Sequence, residues 1–164
     1  MHIVLIEPEI PGNTGNIARL CAGTGIDLHL VKPLGFSVDD KHLKRAGLDY
    51  WHLVSVHYHE NFDEVLQKYN ASKFHFCSTK AAKIYSNATF GKDDLLVFGK
   101  ETAGIPENIL KAHWEDTVRI PMQEGARSLN LSNAVAVVAY EALRQQQFLS
   151  LLKSGPGLRM DGNS

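Results

Sequence analysis

Six short apolar runs, at residues 3–6, 28–31, 53–56, 74–77, 95–98 and 117–120, recur along the chain with turn residues and helical patterns between them. Each has the length and the β-branched or aliphatic content of a buried strand. The stretches between them carry helix signals. Asn61 and Glu64 form a capping box, and Phe62, Val65, Leu66 and Tyr69 follow at i, i+3, i+4 and i+7. Strands alternating with helices predict an α/β fold with a mostly parallel six-stranded sheet and helices on both faces. At 164 residues the chain is long enough for one such unit, which excludes a separate cofactor domain beside a separate substrate domain. That domain is expected over residues 1–153, with residues 154–164, rich in Gly and polar side chains, as a flexible tail.

The longest periodic segment is expected to form a helix from Asn130 to about Phe148. Its centre, Ala134-Val135-Ala136-Val137-Val138-Ala139-Tyr140, is apolar almost all the way round. A surface helix of a monomer keeps one polar face. This one is therefore expected to be buried on two sides, against the sheet and against a second subunit, as in a homodimer.

Lys+Arg 17 against Asp+Glu 18 leaves a net charge of −1. A protein that coats nucleic acid by bulk electrostatics needs a large cationic surplus, so any nucleic-acid site must be local. Cys21 and Cys77 lie in apolar stretches without CxxC spacing, which reads as two buried thiols with no disulfide and no metal site. The start, Met1-His2 running directly into Ile3-Val4-Leu5-Ile6, has no basic leader and no long apolar span. A cytoplasmic protein without membrane association is expected.

Ligands of open α/β sheets bind beyond the carboxyl ends of strands, and three loops there are unusually polar. The first is Glu7-Pro8-Glu9-Ile10-Pro11-Gly12-Asn13-Thr14-Gly15-Asn16-Ile17-Ala18-Arg19. Asn13 or Thr14 is expected to cap the next helix, with Ile17, Leu20, Cys21 and Thr24 facing inward and Asn13, Asn16 and Arg19 on another stripe suited to phosphate or ribose. The second is Gly99-Lys100-Glu101-Thr102-Ala103-Gly104, where two glycines flank a carboxylate before Pro106 opens a helix. The third runs from Arg119-Ile120-Pro121-Met122 through Arg127 to Ser128-Leu129-Asn130-Leu131-Ser132-Asn133. It has more hydroxyls and amides than one helix cap requires.

Taken in order, NTGNIAR, FGKETAGIP and IPMQEGARSLNLSNA resemble the three motifs of the SpoU/TrmH class of SPOUT methyltransferases, over about residues 1–148. The short length, the opening IVLIEPEIP and Gly47-Leu48-Asp49-Tyr50 are similar to the TrmL group. That resemblance implies S-adenosylmethionine as cofactor, with S-adenosylhomocysteine as product. It implies 2′-O-methylation of the wobble cytidine or uridine of tRNA, with leucine isoacceptors as substrates and the anticodon stem-loop as partner. It also implies a C-terminal deep trefoil knot and a homodimer through the 130–148 helix. Methylation at another tRNA or rRNA site, or non-catalytic RNA binding on a SPOUT scaffold, is the alternative.

Carried over by position, the resemblance places the cofactor against Cys77, Ser78 and Thr79, against Gly99, Glu101 and Gly104, and against Ile120, Met122, Ser128, Leu129 and Asn130. Arg19 matches the arginine assigned to catalysis, with Asn13, Glu101, Ser128 and Asn130 as the polar residues around it. A guanidinium stays charged at neutral pH and makes a poor base. Arg19 is therefore read as a clamp on the adjacent phosphate and a stabiliser of the developing alkoxide, with a phosphate oxygen or water taking the proton. Lys41, His42, Lys44, Arg45, Tyr50 and Trp51, followed by His52, His57, Tyr58 and His59, combine cations with rings and read as an RNA patch, with Arg127 and Arg144 as further contacts. His29, His75 and His113 stand apart in the sequence and read as structural.

Overall fold

The computed structural model describes residues 1–39, 41, 45 and 50–158. Strands β1 (His2–Ile6), β2 (Asp27–Val31), β3 (Val56–His59), β4 (Phe74–Cys77), β5 (Leu95–Phe98) and β6 (Thr117–Val118) build one sheet in the order β3-β2-β1-β5-β4-β6. Each of these ladders is parallel. Helices α1 (Pro11–Thr24) and α4 (Leu131–Gln145) cover one face, where Ile17, Cys21, Val135, Val138 and Ala142 pack on Ile3, Leu5, Leu28 and Leu96. Helices α2 (Phe62–Lys68) and α3 (Glu107–Ala112) cover the other, where Phe62, Val65 and Leu110 pack on Val4, Ile6, Phe76 and Val97. Alternate residues of a strand face opposite ways. With both faces covered, every position of β5 is buried, which is why that strand is a continuous apolar run.

Between β1 and β5 the strand order reverses, with β2 and β3 on one side of β1 and β5, β4 and β6 on the other. Beyond the carboxyl ends of the strands next to this switch point is a crevice.

Four of the six expected strands lie where expected, and two differ. β3 starts at Val56, three residues later than the apolar run beginning at Leu53. Leu53 and Val54 instead sit in a turn, their N–H groups donating to the carbonyls of Tyr50 and Trp51, and Leu53 is 61% exposed. The strand is Val-His-Tyr-His, polar enough to read as a loop, and it forms the sheet edge where partial exposure is tolerated. β6 ends at Val118, because Arg119 leaves the ladder for a separate parallel bridge to Ile84. Asn61 caps α2 as expected, accepting from Glu64 N at 3.1 Å, but the Glu64 carboxylate accepts from Glu60 N in place of Asn61 N.

Helix α4 begins on Asn130 as its cap and stops short of Phe148, since Gln147 and Phe148 both adopt positive φ. Val135, Val138, Ala139 and Ala142 are fully buried, while Val137 and Tyr140 on the outer side are 37% and 47% exposed. An apolar outer stripe is thus present. No helix among the described residues is long and apolar enough to cross a membrane.

The histidines depart most from the sequence reading. His29 is fully buried and not isolated: its Nδ1 lies 2.9 Å from His59 Nε2 and its Nε2 lies 3.1 Å from His2 Nδ1. The His57 ring stacks on it at 4.5 Å between centroids. His57 and His59 therefore serve the interior and the sheet edge, not an RNA patch. His75 bonds Asp94 at 2.7 Å, and His113 stacks on Phe76.

Burial, reinforced by the neighbouring imidazoles, pushes His29 down to about 2. Burial lowers His2, His59 and His75 as well. An unfolded histidine takes up a proton near pH 6.5, whereas the buried one does not until far lower, so acid favours the unfolded chain across that window. Between pH 7 and pH 5, His29 alone is expected to remove about 2 kcal/mol of stability. Urea midpoints measured at both pH values check this. The expectation fails if a His29→Asn chain loses as much stability on acidification as the parent.

Candidate active site

The crevice is organised by reciprocal bonds between the loop after β1 and the loop after β5. Lys100 Nζ donates to Glu7 at 2.8 Å, and Thr102 donates to the Glu9 carboxylate through N at 3.1 Å and Oγ1 at 2.9 Å. In return, Glu101 accepts from the backbone N–H groups of Glu9 and Ile10 at 2.8 and 3.0 Å. These charge-assisted bonds lock the two loops side by side.

Asn13 does not cap α1. The helix starts two residues earlier with Pro11 at its first position, where the missing N–H costs nothing, and Ile10 in the cap position offers no side-chain bond. Asn13 is instead buried, with Nδ2 donating to Glu101 at 3.2 Å and Oδ1 accepting from Asn130 Nδ2 at 3.0 Å. Asn130 Oδ1 in turn accepts from Ser132 N and Ser132 Oγ, at 2.9 and 2.6 Å. One chain of polar side chains therefore joins all three loops. Glu101, already receiving three donors, is a positioning group within this chain and is poorly placed to act as a base.

The loop after β5 doubles back on itself. Gly104 N donates to Lys100 O at 2.8 Å, and Gly104 has φ +70. A Cβ built on Gly99 would lie 1.9 Å from the Gly104 carbonyl carbon and 2.0 Å from Ile105 N. Only glycine permits that approach.

Around this frame is a cavity of about 600 Å³, within the usual range for a small-molecule site. Its lining includes all eleven residues expected to meet the cofactor: Cys77, Ser78, Thr79, Gly99, Glu101, Gly104, Ile120, Met122, Ser128, Leu129 and Asn130. Asn13 lines it too, with Lys80 and Arg127 supplying positive charge. Sequence reading missed the apolar walls, Tyr85, Phe98, Leu110, Val118, Ala134 and Val138. Apart from Tyr85, these belong to strands and helices whose pattern is the same as that of ordinary core. The Cys77 thiol is raised by burial and Cys21 is raised to about 12 by the same cause, so both stay protonated at neutral pH.

Arg19 is not among the lining residues. It is exposed on α1, with its guanidinium carbon 4.9 Å from the centroid of the Tyr50 ring, a cation–π stack. Lys41 and Arg45 are exposed, and Lys44 lies outside the described residues. Arg144 is engaged within α4, bonding Glu141 through Nε and Nη2 at 2.8 and 2.9 Å.

The SpoU rRNA Methylase family matches residues 1–140. The chain belongs to this family. Among SpoU relatives, a tRNA (cytidine(34)-2'-O)-methyltransferase of Saccharophagus degradans is 50% identical over 148 residues, covering 90% of this chain and 96% of its own length. A solved structure described as giving insights into the 2-OH methylation of C/U34 on tRNA superposes with a TM-score of 0.85 at 43% identity, covering 90% of this chain and 96% of that one. The SpoU methyltransferase AviRb of Streptomyces viridochromogenes, solved with the cofactor AdoMet, has a TM-score of 0.81 at 26% identity, covering 90% of this chain and 61% of that one.

Proposed function

We propose that the chain uses S-adenosylmethionine to methylate the ribose 2′-hydroxyl of nucleotide 34, cytidine or uridine, in tRNA, with leucine isoacceptors as substrates. The observation that carries this reading is the convergence of three loops, far apart in sequence, on one cavity of about 600 Å³ at the switch point of a parallel sheet. Relatives named for this activity, similar over nearly the whole chain, support it. The lining suits the cofactor: apolar walls for a flat base, and hydroxyls and amides at the start of α4 for ribose and carboxylate. When bound, the cofactor supplies an electrophilic methyl group on a sulfonium.

The chain's own residues do the rest. The Glu101–Asn13–Asn130 relay holds the loops so that acceptor oxygen and methyl carbon meet in line, and such positioning contributes several kcal/mol. Arg19, exposed and stacked on Tyr50, clamps the phosphate next to nucleotide 34 and stabilises the developing alkoxide. A phosphate oxygen or water takes the proton.

Because Arg19 stands outside its own chain's cavity lining, we assign it to the site of a second copy. The apolar stripe of Val137 and Tyr140 on α4 supports a homodimer through that helix. Exposed Lys41 and Arg45, with Arg127 at the cavity, fit an anticodon stem-loop. The C-terminal knot that the resemblance implies belongs to the same proposal. So do a single domain over residues 1–153 and a cytoplasmic location; residues 159–164 of the expected tail lie outside the described residues.

Calorimetry with S-adenosylmethionine and S-adenosylhomocysteine, then mass mapping of nucleosides in tRNA from a deletion strain, tests this reading. Methylation missing from the nucleotide-34 ribose is the expected result. Loss at any other site overturns the assignment.

A further inference from the structure

We propose that His2, Asp27 and His29, with His57 at the rim, form a second site that binds one divalent transition-metal ion of the zinc class. It stands at the opposite end of the sheet from the cavity. β1 and β2 pair in parallel with His2 beside Asp27, and β2 and β3 pair with His29 beside His57. Strand alternation then turns His2, Asp27, His29, His57 and His59 to the face covered by α2. Three of them present one donor atom each, His2, Asp27 and His29, with all three atoms within 4.8 Å of one another.

The spacing fits a metal. Zinc bonds nitrogen and oxygen ligands at about 2.0–2.1 Å in a tetrahedron, which puts neighbouring ligand atoms about 3.3 Å apart. His2 Nδ1 lies 3.1 Å from His29 Nε2 and 3.9 Å from Asp27 Oδ2, and His57 Nε2 lies 3.1 Å from the same carboxylate oxygen. The outer partners are also present: His29 Nδ1 is 2.9 Å from His59 Nε2. A proton on Nδ1 would be donated there, leaving the Nε2 lone pair free, and a hydrogen bond of this kind from the other ring nitrogen orients metal-bound imidazoles. Imidazole and carboxylate suit zinc, cobalt or nickel better than magnesium, which prefers six oxygens. A bound ion would tie β1 to β2 at the edge of the sheet where β3 is short and polar.

The rival occupant is a proton, shared between His2 Nδ1 and His29 Nε2. The test uses the full, tag-free chain, stripped with a chelator and titrated with Zn²⁺ by calorimetry and with Co²⁺ by visible absorption. One ion per chain is expected, with tetrahedral Co²⁺ bands. Asp27→Asn and His2→Gln, at partly buried positions, are each expected to weaken binding tenfold or more and remove the bands. His52→Gln, on the exposed surface, should change neither. In the unsubstituted chain, nitrogen NMR should show His2 Nδ1 and His29 Nε2 shifting on Zn²⁺ addition. No saturable binding, or binding that survives Asp27→Asn and His2→Gln, or nitrogen signals unmoved by Zn²⁺, overturns the proposal.

Discussion

A Gly99→Ala chain is expected to lose S-adenosylmethionine affinity by about a hundredfold or more, equivalent to roughly 3 kcal/mol. The added Cβ would sit 1.9 Å from the Gly104 carbonyl carbon, 2.0 Å from Ile105 N and 2.2 Å from the Gly104 oxygen. All three are backbone atoms, so no rotamer change relieves the clash, and the loop itself must move. That loop carries Glu101, whose three hydrogen bonds hold the segment after β1 and, through Asn13, the start of α4. Displacing it disturbs every wall of the cavity. Neighbouring glycines supply the comparison. Gly104→Ala adds a Cβ that meets nothing within 4 Å but keeps a φ of +70, which costs about 1–2 kcal/mol of backbone strain. Gly12→Ala meets nothing and lies in α1, so it should be neutral or slightly stabilising. Calorimetric affinities in the order Gly12→Ala, Gly104→Ala, Gly99→Ala, strongest to weakest, are expected, with circular dichroism confirming that each chain is folded. Equal affinities for Gly99→Ala and Gly12→Ala would remove the role given to the doubled-back loop.

The same glycine loop shows why much of the site was legible in sequence. Its residues act largely through backbone shape, and Gly, Pro and Asn declare backbone shape locally. The sheet was legible for a related reason: strands buried on both faces must be largely apolar, and β5 is so throughout while β1, β2 and β4 are apolar apart from His2, Asp27, His29 and His75. β3 escaped because its histidines are satisfied by side chains of β2, His59 by His29 and His57 by Asp27, partners that no window along one strand reveals. The role of Asn13 escaped likewise. At the start of a helix an asparagine is a plausible cap, and only the approach of Glu101 and Asn130, 88 and 117 residues away, makes it a buried tie. The motif that the chain resembles points to Arg19, but the place of Arg19 relative to the cavity depends on tertiary geometry.

Arg19→Ala is expected to lower the single-turnover methylation rate by about 10²–10³, the range for removing one preorganised donor aimed at developing negative charge. Affinity for S-adenosylmethionine should stay within about twofold, because Arg19 does not line the cavity. Arg19→Lys should recover little: a lysine keeps the charge but not the planar fork that grips a phosphate in two places. A rate near the parent's for Arg19→Lys would show that geometry is unimportant and would favour a simple charge effect. Assigning Arg19 to the partner's site adds a sharper expectation. Met122→Trp should fill the cavity that Met122 lines and block the cofactor while leaving Arg19 untouched. Each variant alone should be inactive, yet mixed and allowed to exchange subunits they should regain activity, since one site in each mixed dimer pairs an open cavity with an intact Arg19. With half of the dimers mixed and one competent site in each, recovery approaches about a quarter of the parent rate. A mixture as inactive as its components, with exchange verified by mass spectrometry, would return Arg19 to its own chain's site.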